Sequence, residues 1–462
     1  MPRPPFALLL VFSLLTTTAA PVPPSPCAIE VVEEGADWPV PLVELRTTHG
    51  VRLVSDNAGR IACDLPELFG RESWFTVIGH GYERPADGFG NRGVRLTPTP
   101  GGHLRVTVRR THLARRLGRL TGAGLLAESQ KLGLVPLAPE NGVVGCDSVQ
   151  TALYGGRCFW IWGDTSLARY PLGIFDGTGA TTAPAPFALL PPPLPSIYEY
   201  FTDAAGAPRA VVKMPGEGPT WIGGLVSLPD QTGRERLVAA YAKIRRHLEE
   251  YDCGLCVWDD AAARFLPAGS AAGHSAPVPP PAAWPRGHAA RWRDDAGRDW
   301  VLFGNPFPTL RCPARYEAFL DAATWEPLVP QSTVAVAGAG TQTIRPHSGA
   351  IAWNVWRRRW VTVFLQHEGR PSGHGEIWYA EAPAPTGPWG PAVKILTHEN
   401  YTFYNPALHA GFTPPDSPVL LFEGTFTREF ANHAEPTPRY DYNQVLYRLD
   451  LDDPALAPAR AR

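Results

Sequence analysis

From about Val144 to Leu451 one kind of unit keeps returning in this chain: short strands rich in Trp, Tyr, Val and Leu, a tight turn, then a loop heavy in Pro and Gly. The units begin at "CDSVQTALYGGRCFWIW", at "EYFTDAAGAPRAVVKM" running into "TWIGGLVSL", at "AARWRDDAGRDWVLFGN", at "SGAIAWNVWRRRWVTVFLQ" and at "PVLLFEGTFT", which closes with "YNQVLYRLDL". Their spacing, roughly 45 to 70 residues, suits the four-stranded blades of a β-propeller, and about five fit. The 51 prolines and 45 glycines leave little room for long helices, so the expected class is all-β, with a five-bladed β-propeller over 144–452. One segment dissents, "RERLVAAYAKIRRHLEE", whose charges and alanines suit a helix. Its first half is read as a strand because a blade needs one there.

Ahead of this region, residues 27–110 read as short strands between Gly, Pro and "NAG" turns, a small β-sandwich. Residues 111–143, with leucines and arginines interrupted by glycines, read as a connector. The first twenty residues carry Arg3, an apolar run from Phe6 to Leu15 and small residues through Ala20, the layout of a secretory signal, so the mature protein is expected to be secreted or periplasmic. The run is too short to span a bilayer, and no membrane insertion is expected. With 42 basic and 44 acidic side chains interspersed, there is no basic stripe for nucleic acid. Seven cysteines leave at least one unpaired. "CGLC" at Cys253–Cys256 has redox spacing but no thioredoxin-like surroundings, and is expected at a blade edge.

The sharpest chemical feature is the hairpin "GCDSVQTALYGGRCFWIWGDTS". Gly155-Gly156 can take the positive φ values of a two-residue turn, and pairing Tyr154 with Arg157 carries Thr151 opposite Trp160 and Asp147 opposite Asp164. Like charges placed so are destabilising, and one of two such acids holds its proton at higher pH than a free aspartate. Two alternatives stand beside this: a bulge that breaks the register, or Asp164 capping the "GDT" turn with Asp147 in solvent. Alternation also sets Trp160 and Trp162 on the face of Asp164, where they either line a subsite or pack between blades.

"GEIWYAEAPAPTGPWGPAVKIL", together with this hairpin, "YTFYNPALH" and "EPTPRYDYNQVLYRLDL", resembles exported bacterial propeller proteins close to the five-bladed glycoside hydrolases of the arabinanase-like superfamily. The front region resembles carboxypeptidase-regulatory-like modules. The resemblance implies an active site at the end of the central axis, with Asp147 as base or nucleophile and a glutamate from a middle blade as general acid. Glu317, Glu376 and Glu423 compete for that role. Cleaving a glycosidic bond needs one acid to protonate the leaving oxygen and one carboxylate as nucleophile or base. The expected catalytic set is therefore Asp147, Asp164, Glu376 and Glu423. The expected substrate-binding set is Trp162, His288, Asn305, His347, Tyr404, Asn405 and Asp441, with Tyr404, Asn405 and His409 in a loop opening the last blade. His288, His347 and His374 fall at blade entrances, without the spacing of a zinc motif, so no metal ligand and no cofactor is expected, although a central calcium is compatible with the fold. The expected activity is hydrolysis of a polysaccharide or oligosaccharide by a monomer. The rival readings are a non-catalytic carbohydrate-binding or scaffold propeller, and a metal-dependent lactonase or esterase.

Overall fold

The computed structural model describes residues 25–137, 142–184, 192–194, 198–268, 281–370, 372–431 and 435–460. The segment read as a secretory signal lies outside them. The described chain is nearly all β, its two α-helices being five residues each, and no described helix is long and apolar enough to cross a membrane.

After the front region come five four-stranded sheets, which we number I to V. Their first strands are Gln150–Tyr154, Thr220–Pro229, His288–Arg293, Pro346–Asn354 and Thr402–Leu408, and successive first strands pack side by side. Within sheets I to IV each strand pairs antiparallel with the next in sequence. The dissenting helical-looking stretch is the strand Glu235–Arg245 of sheet II, since its alternating apolar residues are buried on both faces between neighbouring sheets. Cys253 and Cys256 lie on Glu249–Asp259, flanked by strands on both sides, so "CGLC" is interior to its sheet and not at an edge.

Each neighbouring pair of sheets shares one apolar core. Phe159 and Ile161 of sheet I meet Leu225, Tyr241 and Trp258 of sheet II. Val226 and Val238 meet Val301 and Phe303 of sheet III. Leu302 and Phe307 meet Trp360 and Phe364 of sheet IV. Val363 and Tyr379 meet Phe403 and Tyr447 of sheet V. The circuit then returns, because Trp160 and Trp162 of sheet I pack on Leu421 and Leu446 of sheet V. The strand Arg157–Trp162 explains its own apolar run: alternate residues serve two different cores.

Sheet V takes its fourth strand from far upstream. Arg115–Arg119 pairs with Asn443–Asp450, so part of the stretch read as a connector is a strand. Its apolar signal is weak because two of its side chains, Arg116 and Arg119, are charged yet buried, their charges met by backbone carbonyls. The stretch "YTFYNPALH", read as a loop, is the first strand of sheet V with a bulge between Tyr404 and Ala407, where Pro406 cannot donate.

Upstream, two further four-stranded sheets, built from residues 27–110, enclose one core that includes Ile29, Val31, Leu45, Ile61, Phe75 and Val106. Arg116 joins them to sheet V: its guanidinium donates to the carbonyls of Pro41 at 3.0 Å and His80 at 2.9 Å and to the Tyr447 hydroxyl at 3.3 Å.

Candidate active site

The hairpin of sheet I turns at Gly155 and Gly156, with φ of 57° and 73°, and pairs Tyr154 with Arg157 through to Gln150 with Ile161. Beyond it, Cys146 pairs with Thr165 and Gly145 with Ser166, in the same alignment. Asp147 and Asp164 occupy the gap between these ladders: the Asp147 N–H donates to the Asp164 carbonyl at 3.1 Å, and the Gly163 N–H to the Asp147 carbonyl at 3.0 Å. Asp147 therefore lies opposite both Gly163 and Asp164, an irregularity in the ladder that still sets the two acids side by side. Ladder pairing lapses at Ser148, whose φ is 49°.

The carboxylates avoid a head-on clash because that of Asp147 folds back onto the opposite strand. Its Oδ1 accepts from the Asp164 N–H at 2.7 Å and its Oδ2 from the Tyr404 hydroxyl at 2.7 Å, and the phenol of Tyr442 and the side chain of Ser148 also bond to it. A side chain at Gly163 would put its Cβ 2.5 Å from Asp147 Oδ1, so only glycine fits there. Asp164 Oδ1 accepts from Trp221 Nε1 at 3.2 Å, reaching the first strand of sheet II. Asn405 Nδ2 donates to Ser148 Oγ at 2.7 Å.

Ser148, Asn405 and Tyr442 all have positive φ, of 49°, 49° and 58°. Such a conformation costs a non-glycine residue on the order of 1–3 kcal/mol; Ser148 and Tyr442 bond to the Asp147 carboxylate, and Asn405 holds Ser148. Burial raises the pKa of Asp147, against which Tyr404, Tyr442, the Asp164 N–H and Ser148 all act. Burial first, then the charge of Asp147, push Asp164 up to about 7. Both phenols are held well above the usual tyrosine range by burial and by Asp147, so they remain donors. Two coupled aspartates thus share one site, both raised above the ordinary carboxylate range, with four donors gripping Asp147 and Asp164 keeping its proton toward neutrality.

Sequence reasoning missed Trp221, Tyr442 and Glu429. The pKa of Glu429 is raised by burial and then by Asp441 and Asp147, and its charge is also felt by Asp164. It sits in the loop after Val419–Thr427, where nothing in the local pattern distinguishes it. The next residue, Phe430, is exposed and sets its ring 5.8 Å from that of Tyr404 and 6.3 Å from that of His374. His374 stands 5.1 Å from His347, which stands 4.8 Å from His367. Burial and neighbouring imidazoles lower the pKa values of His347 and His374. Among the described residues no group of three or more His, Cys, Asp or Glu is placed to hold a metal ion.

Several candidates lie elsewhere or are occupied. Trp162 is 1% exposed in the core between sheets I and V, so it cannot line a subsite; alternation turns it inward because sheet V covers that face. Glu376 is buried and bound by Lys394, Gln366 Nε2 and the Arg370 N–H. Glu423 is fully buried, with Oε1 2.7 Å from His409 Nε2. Neither glutamate is free to meet a substrate. Asp441 accepts from the Arg428 N–H at 2.7 Å and from Thr427 Oγ1, holding the hairpin loop that carries Glu429. Glu317, on the helix Tyr316–Leu320, accepts from the Gln231 N–H in the turn between the first two strands of sheet II. Asn305 is solvent-exposed and accepts from the Gly349 N–H at 2.8 Å, bridging sheets III and IV. His288 is half-buried, and burial followed by the charge of His409 lowers it to about 4.

No protein-family model and no curated protein sequence matches this chain. Among solved structures it is similar to an exo-1,5-α-L-arabinanase from a bovine ruminal metagenomic library, at 10% identity over 67% of this chain and 95% of that one, TM-score 0.37. An exo-β-1,3-galactanase from Phanerochaete chrysosporium, with β-1,3-galactotriose, gives 11% identity over 69% and 63%, TM-score 0.39. A GH43_1 enzyme from Xanthomonas citri, complexed with xylotriose, gives 10% over 68% and 88%, TM-score 0.40. Similarity this low leaves the functional reading to the residues of the site.

Proposed function

We propose that the chain is an exported glycoside hydrolase whose five sheets are the blades of a five-bladed β-propeller, preceded by a small regulatory-like sandwich. The observation that carries the catalytic reading is the Asp147–Asp164 pair. Burial raises both acids, four donors favour the ionised form of Asp147, and Asp164 holds its proton toward neutral pH, so Asp147 is the member that ionises first, as the carboxylate-and-acid pair of glycosidic cleavage requires. Asp147 attacks the anomeric carbon or activates water; Asp164 protonates the leaving oxygen. With the two acids side by side and no room between them for a water, the pair suits a covalent intermediate and retention, which uses carboxyl groups about 5–5.5 Å apart. The substrate is a polysaccharide or oligosaccharide, with Trp221 as a face for its C–H surface.

The test is release of reducing ends from a panel of plant, algal and microbial polysaccharides. Asp147→Asn and Asp164→Asn should each lower the rate by about a hundredfold or more while leaving Tm close to wild type. Proton NMR of the first product separates the working pairs: the retained anomer marks the hairpin acids, and the inverted anomer marks Asp147 acting with a more distant acid, Glu429.

A second reading, a non-catalytic carbohydrate-binding propeller, is favoured by the occupation of Glu376 and Glu423 in buried pairs. Retention on polysaccharide affinity gels without release of reducing ends, lost in Trp221→Ala, would decide for it.

A further inference from the structure

We infer that Cys27 and Cys63 form a cross-strand disulfide within the front region, joined when the chain meets a thiol–disulfide oxidant. The inference rests on the front sheets alone and is independent of the proposed chemistry.

The strands Cys27–Glu33 and Arg60–Cys63 pair antiparallel with Cys27 opposite Cys63, Ala28 opposite Ala62 and Ile29 opposite Ile61. The Val31 N–H donates to the Gly59 carbonyl at 2.7 Å, and hydrogen-bonded pairs alternate along such a ladder, so the cysteines, four residues from that pair, fall in a hydrogen-bonded position too. Opposite Cα atoms there lie about 5.5 Å apart, within the span of about 4.4–6.8 Å that disulfides use; the two residues stand as free thiols in this structure, and their Cβ atoms, about 5.5 Å apart at such a position, must close by about 1 Å as the bond forms. The side chains share a face, because Cys27, Ile29, Val31, Ile61 and Cys63 all enter one core, and both cysteines are fully buried. Burial raises the Cys63 thiol to about 11, and Cys27 stands near enough that its charge adds to the shift.

The other cysteines lack such a partner. Cys253 and Cys256 are three apart on one strand and point to opposite faces. Cys158 lies opposite Leu153 and Thr182, Cys146 opposite Thr165, and Cys312 opposite Val301. One bridge and five free thiols account for all seven.

The exchange balances with oxidised glutathione. One cysteine thiolate attacks its disulfide and releases one glutathione thiolate; the second cysteine attacks the mixed disulfide and releases the other. Two protein thiols are oxidised, one glutathione disulfide is reduced, and the two protons pass to the released thiolates. Since the folded core is closed and thiolate is scarce there, the exchange belongs to the stage before the two front sheets close on each other.

The experiment refolds the full chain in a glutathione redox buffer, alkylates it under denaturing conditions and maps peptides without reduction. The expected result is one linked peptide pair holding Cys27 and Cys63, with Cys146, Cys158, Cys253, Cys256 and Cys312 alkylated. Seven alkylated cysteines, or a different linkage, overturn the inference. Reductant should lower the Tm of the wild-type chain by at least about 5 °C and leave a C27A/C63A variant unmoved. An equal response of both chains also overturns it, and the peptide map decides if the variant does not fold.

Discussion

Asp164 carries a proton that an exposed aspartate would have lost about three pH units lower, because burial and the neighbouring Asp147 charge both disfavour its ionised form. The folded state then binds this proton more tightly than the unfolded chain. Its contribution to stability is full below about pH 4 and is lost as pH rises through about 7. With Asp164 partly in contact with solvent, the expected size is about 1–2 kcal/mol rather than the full value of the shift. Thermal melts from pH 4 to 8 should show the wild type losing this increment and Asp164→Asn keeping a flatter profile; parallel profiles would mean that the shift is absent. In turnover, the rate should fall above about pH 7 as the donor is lost. Tyr404→Phe removes a bond to the ionised form of Asp147, raising its pKa, so the acid limb of the rate profile should move to higher pH.

At the level of single elements, the hairpin was readable because its determinants are local. Two glycines set the turn, the turn sets the register, and the register carries the acids to neighbouring positions across the strands. The glutamates were not readable in this way, because what occupies them comes from elsewhere in the fold. Glu376 looked functional as an acid opening an apolar strand, yet Lys394 on the neighbouring strand neutralises it. Glu376→Gln should accordingly leave turnover within about twofold of wild type while lowering Tm by a few degrees, since the variant leaves Lys394 without its counter-charge. A hundredfold loss of activity with unchanged Tm would return Glu376 to the catalytic set. The tryptophans show the same limit: alternation gives the face of Trp162, but only the docking of sheet V shows that this face is covered.

Across the whole molecule, the repeat of strand-rich units was visible in the sequence, whereas the strand that completes the last sheet was hidden in a basic, glycine-broken stretch. That strand also ties the two parts of the molecule together. Gly118, at φ 150°, has no room for a Cβ beside the Asn57 side chain, and Arg116 spans from sheet V to the carbonyls of Pro41 and His80. Arg116→Ala should strip the carbonyls of Pro41, His80 and Gly79 of this donor and lower Tm by about 5 °C or more, with calorimetry resolving two transitions where the wild type shows one. A single transition at an unchanged temperature would mean that the two parts are joined by other contacts. The pairing of Arg119 with Val445 has a further consequence for assembly in time. Contacts between residues more than three hundred positions apart form slowly, because the chain must search a large loop before they reward it. On the ribosome, the upstream strand emerges early and waits for its partner until Asn443–Asp450 has been made, more than three hundred residues later. Closure of sheet V is therefore the step expected to set the folding rate, and the nascent chain is most exposed to aggregation just before it.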